Sequence, residues 1–400
     1  CPEQSPMPSY YEGYLHGLAG DEAAARACCL RAEHLPAPRC YPNRVEEIAI
    51  LEYAIRLLGR APRAHALLGC LLYDKKQADA AIAHWEASVQ QDPGQALVHR
   101  NLAIARYNKQ GDADAALREM EQARRLDPGY PRLLLEYDQL AARLGRSNAA
   151  RLQLLEENLA LVEQRDDLML RYVTLLNCEG RCEEALQILL TRRFHPWEGG
   201  EGKVSAQYRY ALIRLAKDCL NRGENDRAVQ LLEQSKTYPD TLGEGKLPNV
   251  PDNEADYWQG VALRAMGREP EAAAAFLRAA SGPQEPGRVL YYNDQPSDFI
   301  YYQGLAQRAM GNEAAARKAF HKLLTYGETH LFDAVAYDFF AVSLPEIEVF
   351  ADDIALRNRQ YCNYLRALGC AGLGRTSEAA ELFAGILELQ PDDQGALRHA

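Results

Sequence analysis

The stretch Asp256–Phe276, DYWQGVALRAMGREPEAAAAF, is written again at Ile300–Phe320 as IYYQGLAQRAMGNEAAARKAF. A looser copy, SYYEGYLHGLAGDEAAARACC, stands near the front at Ser9–Cys29. Gly260, Gly304 and Gly13 fall in register, as do Gly267, Gly311 and Gly20, and then Ala272, Ala316 and Ala25. Self-similarity at a fixed period describes a stacked array, in which one unit cannot bury its apolar face alone. Each copy has an aromatic pair, a small residue, a first helix ended by Gly, and an Ala-rich second helix. Small residues at Gly260 and Ala272 let two antiparallel helices approach closely. A left-handed Gly267 ends the first of them at little steric cost.

Two regular units lie between the front and back copies, and a third follows the back copies. Leu68-Gly69, Leu72, Ala81, Trp85 and Pro93 mark one. Leu102, Tyr107, Gly111, Ala116 and Pro128 mark the next, and Ala367, Gly374, Ala379, Phe383 and Pro391 the last. These positions resemble the roughly 34-residue tetratricopeptide repeat. The resemblance implies an all-α fold, a right-handed α-α superhelix (tetratricopeptide solenoid) of about eight or nine units.

Read along the chain, residues 1–8 are a proline-rich linker, and 9–61 a helical repeat region with the irregular insert Leu35–Pro42. Residues 62–160 hold the regular units, 161–350 hold units with long edge loops, and 351–400 hold the last unit and a cap. Asn43 is expected to cap the next helix, with Glu46 as its capping-box partner. From Gly180 the loop glycines fall at 180, 223, 267 and 311, gaps of 43 or 44 residues. The excess lies in the connections Phe194–Lys203, Tyr238–Asn249 and Tyr291–Asp298, which should emerge along one edge of the array.

A net charge of −11 and a pI near 5.4 argue against nucleic acid and anionic membranes as partners. No apolar run approaches the roughly 18 residues that span a bilayer. The ten cysteines show no disulfide framework or zinc spacing and read as reduced thiols, which points to the cytoplasm. The chain opens on Cys1 and so reads as a fragment. The histidines read as scattered, with His65, His84 and His99 on different helical faces, and neither a metal nor another cofactor is expected.

Gly200-Glu201-Gly202-Lys203 and Gly243-Glu244-Gly245-Lys246 imitate a phosphate loop, but Val204 and Leu247 follow the lysines where Ser or Thr is needed. Their spacing reads instead as duplicated inserts whose charged residues pair between neighbouring loops. The competing reading is a binding edge built from His195, Trp197, Glu198, Glu201 and Lys203, with Lys246, Tyr291, Asn293 and Asp294 beyond. Aromatic anchors suit a partner protein, and Trp197 beside carboxylates suits a sugar ring. The fifth repeat position, which faces the inner groove in this fold family, holds Tyr10, Tyr257, Tyr301 and Tyr364. A tyrosine there packs by its ring and binds by its hydroxyl. No residue carries a catalytic assignment.

The phrases EEIAILEYA (Glu46–Ala54), RRFHPWEGGEGK (Arg192–Lys203), LGEGKLPN (Leu242–Asn249), YYNDQP (Tyr291–Pro296) and FAVSLPE (Phe340–Glu346) occur in order. Together they resemble the C-terminal array of a bacterial family whose β-rich N-terminal region has no known function. The expected role is a non-catalytic scaffold binding a protein, or the upstream region of the same parent chain, through groove and loop edge. The alternative is an accessory module of a carbohydrate-active enzyme.

Overall fold

A computed structural model describes residues 5–37, 40–197, 199–291, 294–337 and 348–400. Among them every regular element is a helix and no strand occurs, as the repeat requires. No helix is long and apolar enough to cross a membrane. The chain forms two compact units, residues 1–140 with 349–351, and residues 141–348 with 352–400. The boundary between these units falls at Leu140, inside the helix Pro131–Arg143.

The first unit pairs Pro6–Leu18 with Glu22–His34, Pro62–Asp74 with Ala78–Gln91, and Ala96–Ala105 with Ala113–Leu126. The helix Ala96–Ala105 continues as a π turn, Arg106–Gln110. Helix Pro6–Leu18 starts inside the expected linker, because proline is tolerated in a first turn whose N–H groups have no partner in any case. A single helix, Glu46–Leu58, packs against the helix after it. The capping box there uses Glu47 rather than Glu46. Its carboxylate accepts the N–H groups of Asn43 (2.8 Å) and Arg44 (2.9 Å). Neighbouring pairs are tied by Glu33, which accepts the N–H groups of Arg63 and Ala64 at the start of helix Pro62–Asp74 and the hydroxyl of Tyr10.

The second unit pairs Asp166–Cys178 with Cys182–Thr191, Lys203–Asn221 with Asn225–Gln234, and Asn253–Ala265 with Glu269–Ala279. It then pairs Phe299–Ala309 with Glu313–His330, and Ile354–Gly372 with Thr376–Leu389. A short helix, Gln394–His399, follows.

The repeated residues explain the pairing. A Cβ on Gly260 would lie 2.6 Å from the Phe276 ring, and one on Gly304 would lie 2.4 Å from Phe320. Each Phe also meets the repeat tyrosine, Tyr257 at 5.9 Å and Tyr301 at 5.7 Å between ring centroids. Arg264 and Arg308 cover the outer faces of the same Phe rings at 4.5 and 4.9 Å. Gly267 and Gly311 follow with φ +73° and +85°, the left-handed caps the sequence calls for.

Candidate functional site

In the first unit, the face formed by the first helices of the pairs carries polar side chains. Arg100 grips the buried Glu136 carboxylate through two bonds of 2.6 Å, and Arg132 adds a third at 2.8 Å. Asn101 reaches Cys70 Sγ at 3.5 Å. Two turns further on, the π segment presents Asn108. Its Nδ2 donates to the carbonyl of Val349 at 2.7 Å, and its Oδ1 accepts the N–H of Ala351 at 2.7 Å. Burial raises the pKa of the Tyr73 hydroxyl, and the neighbouring Asn108 side chain opposes the shift. Between the two backbone contacts Phe350, 1 % exposed, seats its ring edge-on to Tyr107 at 5.4 Å. A side-chain amide offers one donor face and one acceptor face, the pair that a backbone peptide group offers. Asn108 therefore holds a non-helical segment without regard to its side chains, and the Phe350 seat adds an apolar anchor.

In the second unit a cavity of about 160 Å³ opens beside helix Lys203–Asn221, lined by Arg209, Arg214, Glu254, Asp298, Tyr302 and Arg398 among others. Glu254 accepts Arg398 Nη1 at 2.5 Å and the Tyr302 hydroxyl at 2.7 Å. Burial opposes ionisation of Glu254, but the positive charge of Arg398 prevails and holds its pKa below the usual range. Burial, with the charge of Glu254, pushes Asp298 up. His399, enclosed by Tyr301, Tyr302, Tyr364 and Phe383, is held neutral by burial and by Arg398, at about 4.

The residues singled out from sequence fall into two groups. The edge loops engage one another. Glu244 of the second insert accepts the N–H groups of Gly202 (2.7 Å) and Ser205 (3.1 Å), capping helix Lys203–Asn221. Phe194 N–H donates to Thr241 O at 2.8 Å. The Trp197 ring covers Gly200. Lys246 bonds both oxygens of Asp252 in its own loop, and Asp294 accepts the N–H groups of Leu290 and Tyr291. Tyr291 stands 6.4 Å from the Tyr337 ring. Glu201 has one buried oxygen without a partner among the described residues, and Lys203 opens its helix. His195 is exposed and bonds Asp166 through both its N–H and its ring. Glu198 and Asn293 lie outside the described residues, as do Phe340 to Glu346. In the second group, the Tyr257 and Tyr301 rings pack on Phe276 and Phe320, Tyr10 is buried on Glu33, and the Tyr364 hydroxyl donates to Asp298 at 3.1 Å.

One expectation is corrected. His65 and His84 share a face, with Nδ1 atoms 2.9 Å apart. Helical-wheel reasoning treats one helix at a time, whereas these two meet across a helix pair. Among the described residues no three His, Cys, Asp or Glu side chains gather as a metal site. Every described cysteine is free, and burial raises Cys178 and Cys182 to about 12 and about 11.

Sequence reasoning passed over Asn108, Arg209, Arg214, Glu254, Asp298 and Arg398. A usable signal existed for Asn108, since Asn101 and Asn108 are seven residues apart and share a helical face.

Residues 298–326 match the tetratricopeptide repeat. The matched window spans Tyr301, Gly304, Arg308 and Phe320, the module that packs helix Phe299–Ala309 on Glu313–His330. Solved structures also resemble the chain. One is YrrB, described as having an unusual peptide-binding site, with 14% identity, 65% of this chain and 97% of that one covered, and TM-score 0.32. Another is a tetratricopeptide repeat protein from Parabacteroides merdae, with 16% identity, 76% and 99% covered, and TM-score 0.32. A third, Naa15/Naa10 bound to HypK-THB, shares 14% identity over 98% of this chain and 64% of that one, with TM-score 0.42.

Proposed function

We propose that the chain is a non-catalytic scaffold that binds polypeptide on the first-helix face of its tetratricopeptide-like pairs. The observation that supports this reading is Asn108, which bonds the carbonyl of Val349 and the N–H of Ala351 around the buried Phe350. The chain's own segment supplies the pattern: two backbone bonds and one aromatic anchor, which hold any peptide that brings an aromatic residue to the seat. The partner is a protein, or the β-rich region that the sequence resemblance sets upstream in the same parent. The edge loops form the second contact surface, with the exposed His195 as its polar group.

The test replaces Phe350 with Ser in the whole chain, which vacates the aromatic seat. A labelled peptide of residues 348–353 is then titrated by fluorescence anisotropy. Saturable binding to the Phe350→Ser chain, lost when Asn108→Ala is added, is expected. Equal binding with and without Asn108, or no binding to Phe350→Ser protein of unchanged helix content, overturns the proposal.

A further inference from the structure

The cavity in the second unit holds more positive charge than its acids use. Glu254 is satisfied by Arg398 and Tyr302. Asp298 takes the Tyr364 hydroxyl and lies 3.8 Å from Arg398. Arg209 donates one Nη to Pro251 O at 2.5 Å, and its nearest carboxylate, Asp252 at 3.8 Å, is already bonded twice by Lys246. The Nε atoms of Arg209 and Arg398 are buried without an acceptor among the described residues. Arg214, on the same helix as Arg209, lines the cavity and makes no hydrogen bond or ion pair among the described residues. Buried guanidinium donors left unmatched are costly, and a site that keeps several of them gains most from an oxyanion.

Ile213 and Phe299 give the wall an apolar part, and Tyr210 and Gln295 line the same space. At about 160 Å³ the cavity matches the engineered ~150 Å³ cavities that admit benzene. The two acids in the wall weigh against a dianion and for a singly charged ligand, because each further negative charge would stand beside Glu254 in a poorly screened interior. A planar carboxylate also fits the guanidinium fork.

We propose that this cavity binds a small amphipathic monocarboxylate, its carboxylate on Arg214, Arg209 and Arg398 and its apolar body against Ile213 and Phe299. The site is distinct from the peptide-holding face of the first unit, and its failure would leave the scaffold reading untouched.

Benzoate is the probe, with benzamide as its neutral counterpart and inorganic phosphate as the competing anion. Calorimetric titration of the whole chain should show saturable benzoate binding, and benzamide and phosphate should not bind. Arg214→Gln, which breaks no hydrogen bond or ion pair among the described residues, should leave the melting temperature of the free protein unchanged and weaken benzoate by about tenfold or more. Unaltered affinity in Arg214→Gln, equal binding of benzamide, or binding of phosphate in place of benzoate overturns the assignment. An absence of saturable benzoate binding to the wild-type chain does so as well.

Discussion

Asn108 Nδ2 lies 2.7 Å from the carbonyl oxygen of Val349, and its Oδ1 takes the N–H two residues on. A side chain from a first helix thus does what a neighbouring strand would do for a non-helical segment. The contact links two stretches more than two hundred residues apart in the chain.

The approach of Gly260 to Phe276 sets the spacing of a helix pair. Gly260→Ala places a methyl 2.6 Å from the ring and should destabilise by about 1–3 kcal/mol, with Gly304→Ala costing a similar amount. Gly385 is a helical glycine with open space around its Cβ position, so Gly385→Ala should stabilise by about 0.5–1 kcal/mol. Denaturant unfolding of the three variants checks the opposed signs. Equal effects at Gly260 and Gly385 would contradict the packing account.

Glu244 joins two inserts by capping the helix that begins at Lys203. Removing it in Glu244→Ala leaves the N–H groups of Gly202 and Ser205 without an acceptor and should cost about 1–2 kcal/mol. Glu244→Gln keeps an acceptor and should cost less. Hydrogen exchange over residues 203–207 should rise in the Ala variant and leave helix Asn253–Ala265 unaffected.

These elements differ in how far the sequence discloses them. The Tyr–Gly–Arg–Phe module is legible because all of its contacts fall within one repeat and recur 44 residues later as Tyr301, Gly304, Arg308 and Phe320. The joining of the inserts was half legible. Their shared period suggested that they touch, but the contact is Glu244 on backbone N–H groups, which no residue pattern specifies. The cavity was hidden, since Glu254 and Arg398 stand 144 residues apart and meet only through the path of the solenoid. The boundary at Leu140 was hidden for another reason: the helical pattern runs through it without interruption.

Stability should fall as the solution is acidified from neutrality. Burial lowers the pKa of His65 and His84, each in contact with the other, and burial with Arg398 lowers that of His399 to about 4. Unfolded, these histidines titrate near 6.5. As pH drops through about 6.5 the unfolded state therefore binds protons that the folded state refuses, and the equilibrium shifts toward unfolding. For His399 the loss continues down to about 4. Melting temperatures should decline more steeply between about pH 7 and pH 5.5 for the wild type than for His84→Gln, because the doubly neutral pair is removed. Identical slopes would contradict the prediction.

The most direct test of the central claim is hydrogen exchange at the Ala351 amide, measured in the whole chain with and without Asn108→Ala. If the side-chain amide holds polypeptide backbone, Ala351 exchanges about tenfold or more below its intrinsic rate in the wild type. It exchanges faster in the variant, with amides of helix Pro62–Asp74 unchanged. Exchange at Ala351 that is unprotected in the wild type, or equally protected without Asn108, would contradict the account.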